Sequence, residues 1–331
     1  TRNTRFGFKS RGLGDVYKRQ EVGGKHGNSP IAEWMKLENI HLKYILDEGG
    51  GIFADFAGLD QPAAFVGIGE KGYATIEVSV DLGEAGHSSI PPPIEETVVG
   101  ILSRVADELG HHPHPADRGA ALDLALDYLG PEMALPNRVA AANRWLFGPA
   151  VDRIMGGTPI GNAMLRTTMA PTLLEVGEKE NVMPSEGTLT YNLRILPGGP
   201  RDTAIDVAKE HVEKVLKDEI GDERIKINVK PGARAPSSIS STESDEFDQI
   251  HRTIREVYPK VLVSPFIVVA GTDASHYDDE KLCEHIYRFV PWQLGKDDLK
   301  QIHGADERMA KEDYLNIVRF YERLIRNTAI R

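Results

Sequence analysis

Between residues 72 and 230 the apolar pattern runs strand, helix, strand, strand, helix, strand, and nothing else in the chain narrows the possible folds as far. Ala74, Ile76, Val78 and Val80 alternate with Thr75, Glu77, Ser79 and Asp81, the two-residue period of a strand with one buried face. Val98, Ile101, Leu102, Val105 and Leu109 then recur at helical spacing. Two further strands are predicted at 170–176 and where Leu189, Tyr191, Leu193 and Ile195 alternate with Thr188, Thr190, Asn192 and Arg194. That alternation puts Arg194 on a polar face. A helix from Asp202, with Ile205, Ala208, Val212, Val215 and Leu216 on one stripe, and a strand over 224–229 complete the series. This order is the split βαβ pattern of a ferredoxin-like layer, so 72–230 reads as one inserted domain and residues 236–241 as its return hinge.

The flanking segments carry the polar chemistry. Residues 44–51, YILDEGGG, read as a buried strand ending in Asp47, Glu48 and a glycine turn, the usual site placement in open α/β sheets. Acids at a strand end suit hard or borderline cations, and the glycine run lacks the Lys-Ser/Thr ending of a phosphate loop. Upstream, EVGG sets Glu21 before a flexible turn, and a short helix follows through Ile31, Trp34, Met35 and Leu37. After the hinge, Phe247, Ile250, Ile254 and Val257 predict a helix, and 266–270 a buried strand that ends in Gly271-Thr272-Asp273. A strand over 286–290 and a last helix through Tyr314, Leu315, Val318, Tyr321 and Leu324 close the chain. His303 stands between these two in IHGADER, a polar, glycine-containing turn able to aim one imidazole nitrogen at a metal. A single loop histidine is more often structural, so His303 gains weight only beside the upstream acids. His87, between Gly86 and a Ser-Ser-Pro-rich turn, is exposed but fixed in direction. His111, His112 and His114 resemble a metal cluster, but Pro113 and Pro115 break the spacing that would aim them together, and they read as loop residues.

Bulk properties exclude several classes. A net charge of -11 over 331 residues argues against a nucleic-acid surface, which needs clustered Lys and Arg. One cysteine, Cys283, permits neither a disulfide framework nor a CxxC motif and fits a reducing compartment such as the cytoplasm, without fixing localisation. No apolar run reaches the length of a membrane span. Residues 1–20 differ from the rest: Arg2, Arg5, Lys9, Arg11, Lys18 and Arg19 face the single acid Asp15, without apolar periodicity. This stretch reads as a non-native leader fused to a truncated protein, or else as a disordered basic tail.

The ordered set EVGG, LDEG, GHSS, ENVMPS, the NLR strand, GTD and IHGADER resembles the co-catalytic zinc exopeptidases and deacylases. That family includes aminoacylase, carboxypeptidase S, Gly-X carboxypeptidase, glutamate carboxypeptidase and succinyl-diaminopimelate desuccinylase. The likeness covers about 21–327 and lies nearest the carboxypeptidase S and Gly-X carboxypeptidase branch. It implies a zinc-exopeptidase-like α/β catalytic domain in two parts, 21–71 and 231–331, split by a ferredoxin-like α+β dimerisation (lid) domain at 72–230, after a leader at 1–20. It also implies two zinc ions per complete active site, a homodimer, and a small-molecule or peptide substrate with a free carboxylate. By resemblance, Glu21 and His303 share one zinc and Glu48 serves the other, with Asp47 as a weaker substitute for Glu48. His87 reaches across the dimer interface to the tetrahedral intermediate, Asn181 and Arg194 bind substrate, and Gly271, Thr272 and Asp273 border its pocket.

Three departures are visible against that family. Its upstream histidine and bridging aspartate would lie before Glu21, Gln20 holds the general-base position, and Ser275 stands where nearby relatives carry arginine. The implied activity is hydrolysis of an amide or peptide bond beside a free carboxylate, with this chain an N-terminally truncated and nearly inactive fragment. A non-catalytic dimerising module of the same fold, or a binder of small acidic ligands, is the alternative.

Overall fold

The computed structural model describes residues 27–54, 59–84, 86–198, 201–217, 223–295, 298 and 307–329. In chain order the elements are helix α1 (Asn28–Leu37), strands β1 (Ile45–Asp47), β2 (Gly51–Phe53), β3 (Ala63–Glu70), β4 (Gly72–Asp81) and β5 (Gly86–His87), then helix α2 (Val98–His111). Four helices follow: α3 (Gly119–Leu129), α4 (Leu135–Ala142), α5 (Arg144–Gly156) and α6 (Pro159–Leu165). Next come β6 (Thr168–Val176), β7 (Val182–Met183), β8 (Glu186–Ile195), α7 (Arg201–Val215) and β9 (Ile225–Val229). The chain closes with α8 (Asp245–Val257), β10 (Leu262–Val268), α9 (Ser275–Asp279), β11 (Ile286–Arg288), β12 (Gln293–Leu294) and α10 (Lys311–Ala329).

Strands β6, β8, β4 and β9 form a four-stranded antiparallel sheet in that order. The alternation read from residues 74–81 is the burial pattern of β4, and Ala74, Ile76, Val78 and Val80 point into one core with α2 and α7. Thr97 starts α2 by accepting the Gly100 amide at 3.0 Å, which satisfies one of the donors a helix leaves open at its N-terminus. Val98, Leu102 and Val105 then meet Leu193 and Val212, and each such side chain withdrawn from water contributes about 1.5–3 kcal/mol. The result is the expected ferredoxin-like layer. Its sheet ends in a separate two-stranded ladder, β5 with β7.

The second sheet runs β1-β11-β3-β2-β12, with β10 on the other side of β3. Its parallel pairs are β1 with β11, β3 with β10 and β2 with β12, whereas β3 lies antiparallel to β2 and β11. Strand β3 is the centre, and every residue in it is buried. Ala64, Val66 and Ile68 pack among Phe247, Ile250 and Ile254 of α8 and Phe320 and Leu324 of α10. Ala63 and Phe65, on the opposite face, meet Leu129 and Met133. Helix α3 therefore covers the second sheet, although its sequence lies between α2 and β6 of the first.

Two strand bounds differ from the sequence expectation. The strand predicted at 266–270 begins at Leu262 and ends at Val268, because its ladder to β3 runs from Leu262 opposite Ala63 to Val268 opposite Glu70, straight through Pro265. The strand predicted at 286–290 keeps ladder pairing only to Arg288, after which Phe289 and Val290 donate their amides to Asp47 O and Gly50 O beside the β1 turn. Among the described residues no helix is long and apolar enough to cross a membrane.

Candidate active site

Strand β1 delivers Asp47 and Glu48 to a turn that only glycines can complete. A Cβ on Gly50 would collide with the main-chain oxygens of Phe65 and Arg288, so the turn presses directly on the sheet. Asp47 is committed to local structure: one carboxylate oxygen accepts the Glu48 amide at 2.9 Å and the other the Ala274 amide at 2.8 Å. That second bond ties the end of β1 to the segment after β10. Burial first, and then the charges of Asp47 and Glu48, push the Tyr321 hydroxyl on α10 above its ordinary value.

The segment after β10 is held from two sides. Thr272 donates its amide and its hydroxyl to Glu70 Oε2 at 3.0 and 2.8 Å, and Asp273 accepts from Asn28 Nδ2 at 2.5 Å. Tyr277 donates its hydroxyl to Asn28 Oδ1 at 2.9 Å, and its own ionisation is pushed up by burial and then by Asp273 and Asp47. The structure thus brings together the end of β1, the Gly271-Thr272-Asp273 turn and the start of α1. Glu21, seven residues before Asn28, and His303 lie outside the described residues.

Beneath this surface is a buried ion cluster that the sequence reading did not single out. Glu70, at the end of β3, accepts from Arg288 Nε at 3.1 Å and from Arg234 Nη2 at 3.0 Å, as well as from Thr272. Arg288 is 0% exposed and Glu70 1%. Arg234 also donates to Ser275 Oγ and lies against Gly271, where a Cβ would meet its guanidinium. A cation therefore stands beside Ser275, the position at which the resemblance leads one to expect an arginine. The signal in sequence was an acid closing the apolar run AAFVGIG.

The remaining predicted residues fall at opposite ends of the first sheet. His87 on β5 pairs with Val182 on β7, and the Ser88 amide reaches Asn181 O at 3.3 Å, so His87 and Asn181 are neighbours. The Ser89 amide donates to His87 Nδ1 at 3.2 Å, and Ser89 Oγ lies 2.7 Å from the same nitrogen. A main-chain amide can only donate, so Nδ1 carries no proton and the neutral ring keeps its proton on Nε2. Arg194 pairs with Tyr73 at the other end of β4, its guanidinium 5.1 Å from the centre of the Tyr73 ring and its Nε donating to Asn192 Oδ1 at 3.1 Å.

Comparison with known proteins agrees with this architecture. Residues 68–219 match the peptidase dimerisation domain of M20 enzymes. Probable carboxypeptidase S-like 2 of Dictyostelium discoideum is 38% identical over 312 residues, which cover 93% of this chain and 57% of that protein. In sequence the chain is similar to M20 peptidases, through this dimerisation domain and along most of its own length. N-fatty-acyl-amino acid synthase/hydrolase PM20D1 of Mus musculus is 33% identical over 93% of the chain and 59% of its own length. The chain thus spans rather more than half the length of the curated relatives it matches. Human carnosine dipeptidase 1 superposes with a TM-score of 0.61 at 14% identity, over 94% of this chain and 64% of that one. The M20 metallo-carboxypeptidase Sso-CP2 of Sulfolobus solfataricus gives 0.58 at 14% identity, over 89% and 66%. At that identity the two structures establish the M20 fold.

Proposed function

We propose that this chain is part of a zinc-dependent M20 hydrolase that cleaves an amide or peptide bond beside a free carboxylate, in an N-acyl amino acid or at a peptide C-terminus. The observation that carries the reading is the junction in which Asp47 holds the Ala274 amide while Asp273 holds Asn28. Three segments far apart in sequence converge there: two contain predicted site residues, and the third begins seven residues after Glu21 in sequence. Relatives named for carboxypeptidase S and for N-fatty-acyl amino acid hydrolysis support the same substrate class.

The donors in question, carboxylates and an imidazole, suit zinc. With both oxygens of Asp47 engaged by main-chain amides, Glu48 is the better ligand of the pair, and Glu21 and His303 would complete the set. When bound, two zinc ions would activate a water and polarise the scissile carbonyl. His87 Nε2–H would donate to the carbonyl oxygen as it gains charge, with Asn181 beside it as a second polar contact. Arg194 would hold the substrate carboxylate, and the 271–273 turn would wall the pocket.

Strand β4 separates these groups. Its ten residues, at about 3.3 Å each, put His87 and Arg194 on the order of 30 Å apart in one chain. A site that uses both draws them from two subunits, which makes the active unit a homodimer with His87 and Asn181 supplied by one copy and Arg194 by the other. The test uses protein extended at its N-terminus to the length of the carboxypeptidase S-like relative. It should hydrolyse N-acyl amino acids and lose most of that turnover when the carboxylate is methylated. Equal turnover of free and methylated substrates would overturn the assignment.

A further inference from the structure

We propose that the lid layer carries a metal site of its own, separate from the strand-end site, formed by Glu108 and His112 at the end of α2 and His211 on α7. Glu108 and His112 are four residues apart, so they share one face of the helix end. Helix α7 lies beside α2 over the same sheet and presents His211 to that face. His211 Nδ1 is 3.1 Å from one Glu108 oxygen and His112 Nδ1 3.2 Å from the other, and the two imidazoles stack at 5.6 Å between ring centres. The possible ligand atoms of all three residues lie within 4.8 Å of one another. A tetrahedral zinc with N and O ligands at about 2.0–2.2 Å holds those atoms roughly 3.3–3.5 Å apart, close to each of the two histidine–carboxylate distances.

The chemistry of the trio selects the ion. Two imidazoles and a carboxylate, with no thiolate, favour Zn²⁺, Ni²⁺ or Cu²⁺ over Mg²⁺ or Ca²⁺. Three protein donors leave a further position for water. Hydrogen bonds from His211 and Lys214 hold the Glu108 carboxyl below its ordinary range, so the carboxylate is ionised at neutral pH.

Two groups compete with a metal. Lys214 Nζ lies 3.1 Å from the Glu108 oxygen that also faces His211. His112 Nδ1 lies 3.0 Å from the main-chain oxygen of Glu108, which can only accept, so this nitrogen bears a proton until a metal displaces it. The neighbouring histidines turn elsewhere: His111 pairs with Asp107 at 3.1 Å, and His114 is buried with its Nε2 unpartnered. Sequence reading expected 111, 112 and 114 not to converge. They do not, but His112 converges with a histidine on another helix.

The experiment is zinc titration of metal-stripped protein against a chromophoric chelator, with Cu²⁺ electron paramagnetic resonance as a second readout. One metal equivalent should be lost in the His112→Ala/His211→Ala double variant and weakened at least about tenfold in each single variant. It should persist in Glu48→Gln, which separates it from any strand-end metal. Lys214→Met should tighten binding, because the ammonium that shares the Glu108 oxygen is gone. The copper spectrum should carry coupling to two imidazole nitrogens. An unchanged zinc equivalent in the double variant, with unchanged circular dichroism, would overturn the proposal. So would the failure of wild-type protein to retain zinc at micromolar concentration.

Discussion

Glu70→Ala would leave Arg288 as a cation with no exposure to solvent and, among the described residues, no carboxylate paired with it. Removing one partner of a fully buried pair costs about 3–5 kcal/mol, since the remaining charge can neither reach water nor find a new counter-ion. Arg234 adds little, because its side chain is 28% exposed and can turn to solvent. Thr272 loses the acceptor of both its amide and its hydroxyl, for roughly a further 1 kcal/mol in a turn that borders water. The predicted loss is therefore about 4–6 kcal/mol in urea unfolding at neutral pH. In an Arg288→Met background the same Glu70→Ala change should cost only about 1–2 kcal/mol, because the stranded cation is gone. A loss below about 1 kcal/mol, or the same loss in both backgrounds, would refute the view that this cluster ties β3, β11 and the 271–275 turn together.

Three other outcomes follow from the geometry. Burial first, and then the nearby charges of His211 and Lys71, hold His114 down at about 4 against an ordinary 6.5. It therefore contributes stability that is present above pH 6.5 and is lost as pH falls through 4, roughly 3 kcal/mol in all, and His114→Leu should remove that part of the acid sensitivity in denaturation measured between those limits. Mixing inactive His87→Ala and Glu48→Ala forms of the extended protein should restore activity, toward a quarter of wild type for random pairing with one intact site in each half of the dimers. No recovery would count against sharing of the site between subunits. Gly50→Ala should destabilise the protein by about 1–3 kcal/mol by forcing the turn off Phe65 and Arg288, and should weaken zinc binding at Glu48 more than at Glu108.

The ferredoxin-like layer was legible because its strands bury one face only: alternation at 74–80 and 189–195 marks both the strands and their inward side. Strand β3 left no such mark. Buried on both faces, AAFVGIG is a continuous apolar run, so the central strand of the second sheet and the acid that closes it went unread. No local pattern in helices α3 to α6 says which sheet they cover, and α3 lies on the second. Asp47 and Glu48 stood out as acids at a strand end. Their different duties did not, because the bond from Ala274 to Asp47 joins residues 227 positions apart. Arg234 was invisible for the same reason, its partners Glu70 and Ser275 lying in other segments.

The central claim is that the β1 strand end is half of a zinc site. Diffraction at the zinc absorption edge, from crystals of the extended protein grown with zinc, tests it most directly. The account predicts an anomalous peak within about 2.0–2.2 Å of a Glu48 carboxylate oxygen, in a centre that Glu21 and His303 complete. A fully occupied zinc site elsewhere in the catalytic domain, with Glu48 outside bonding distance, would contradict it.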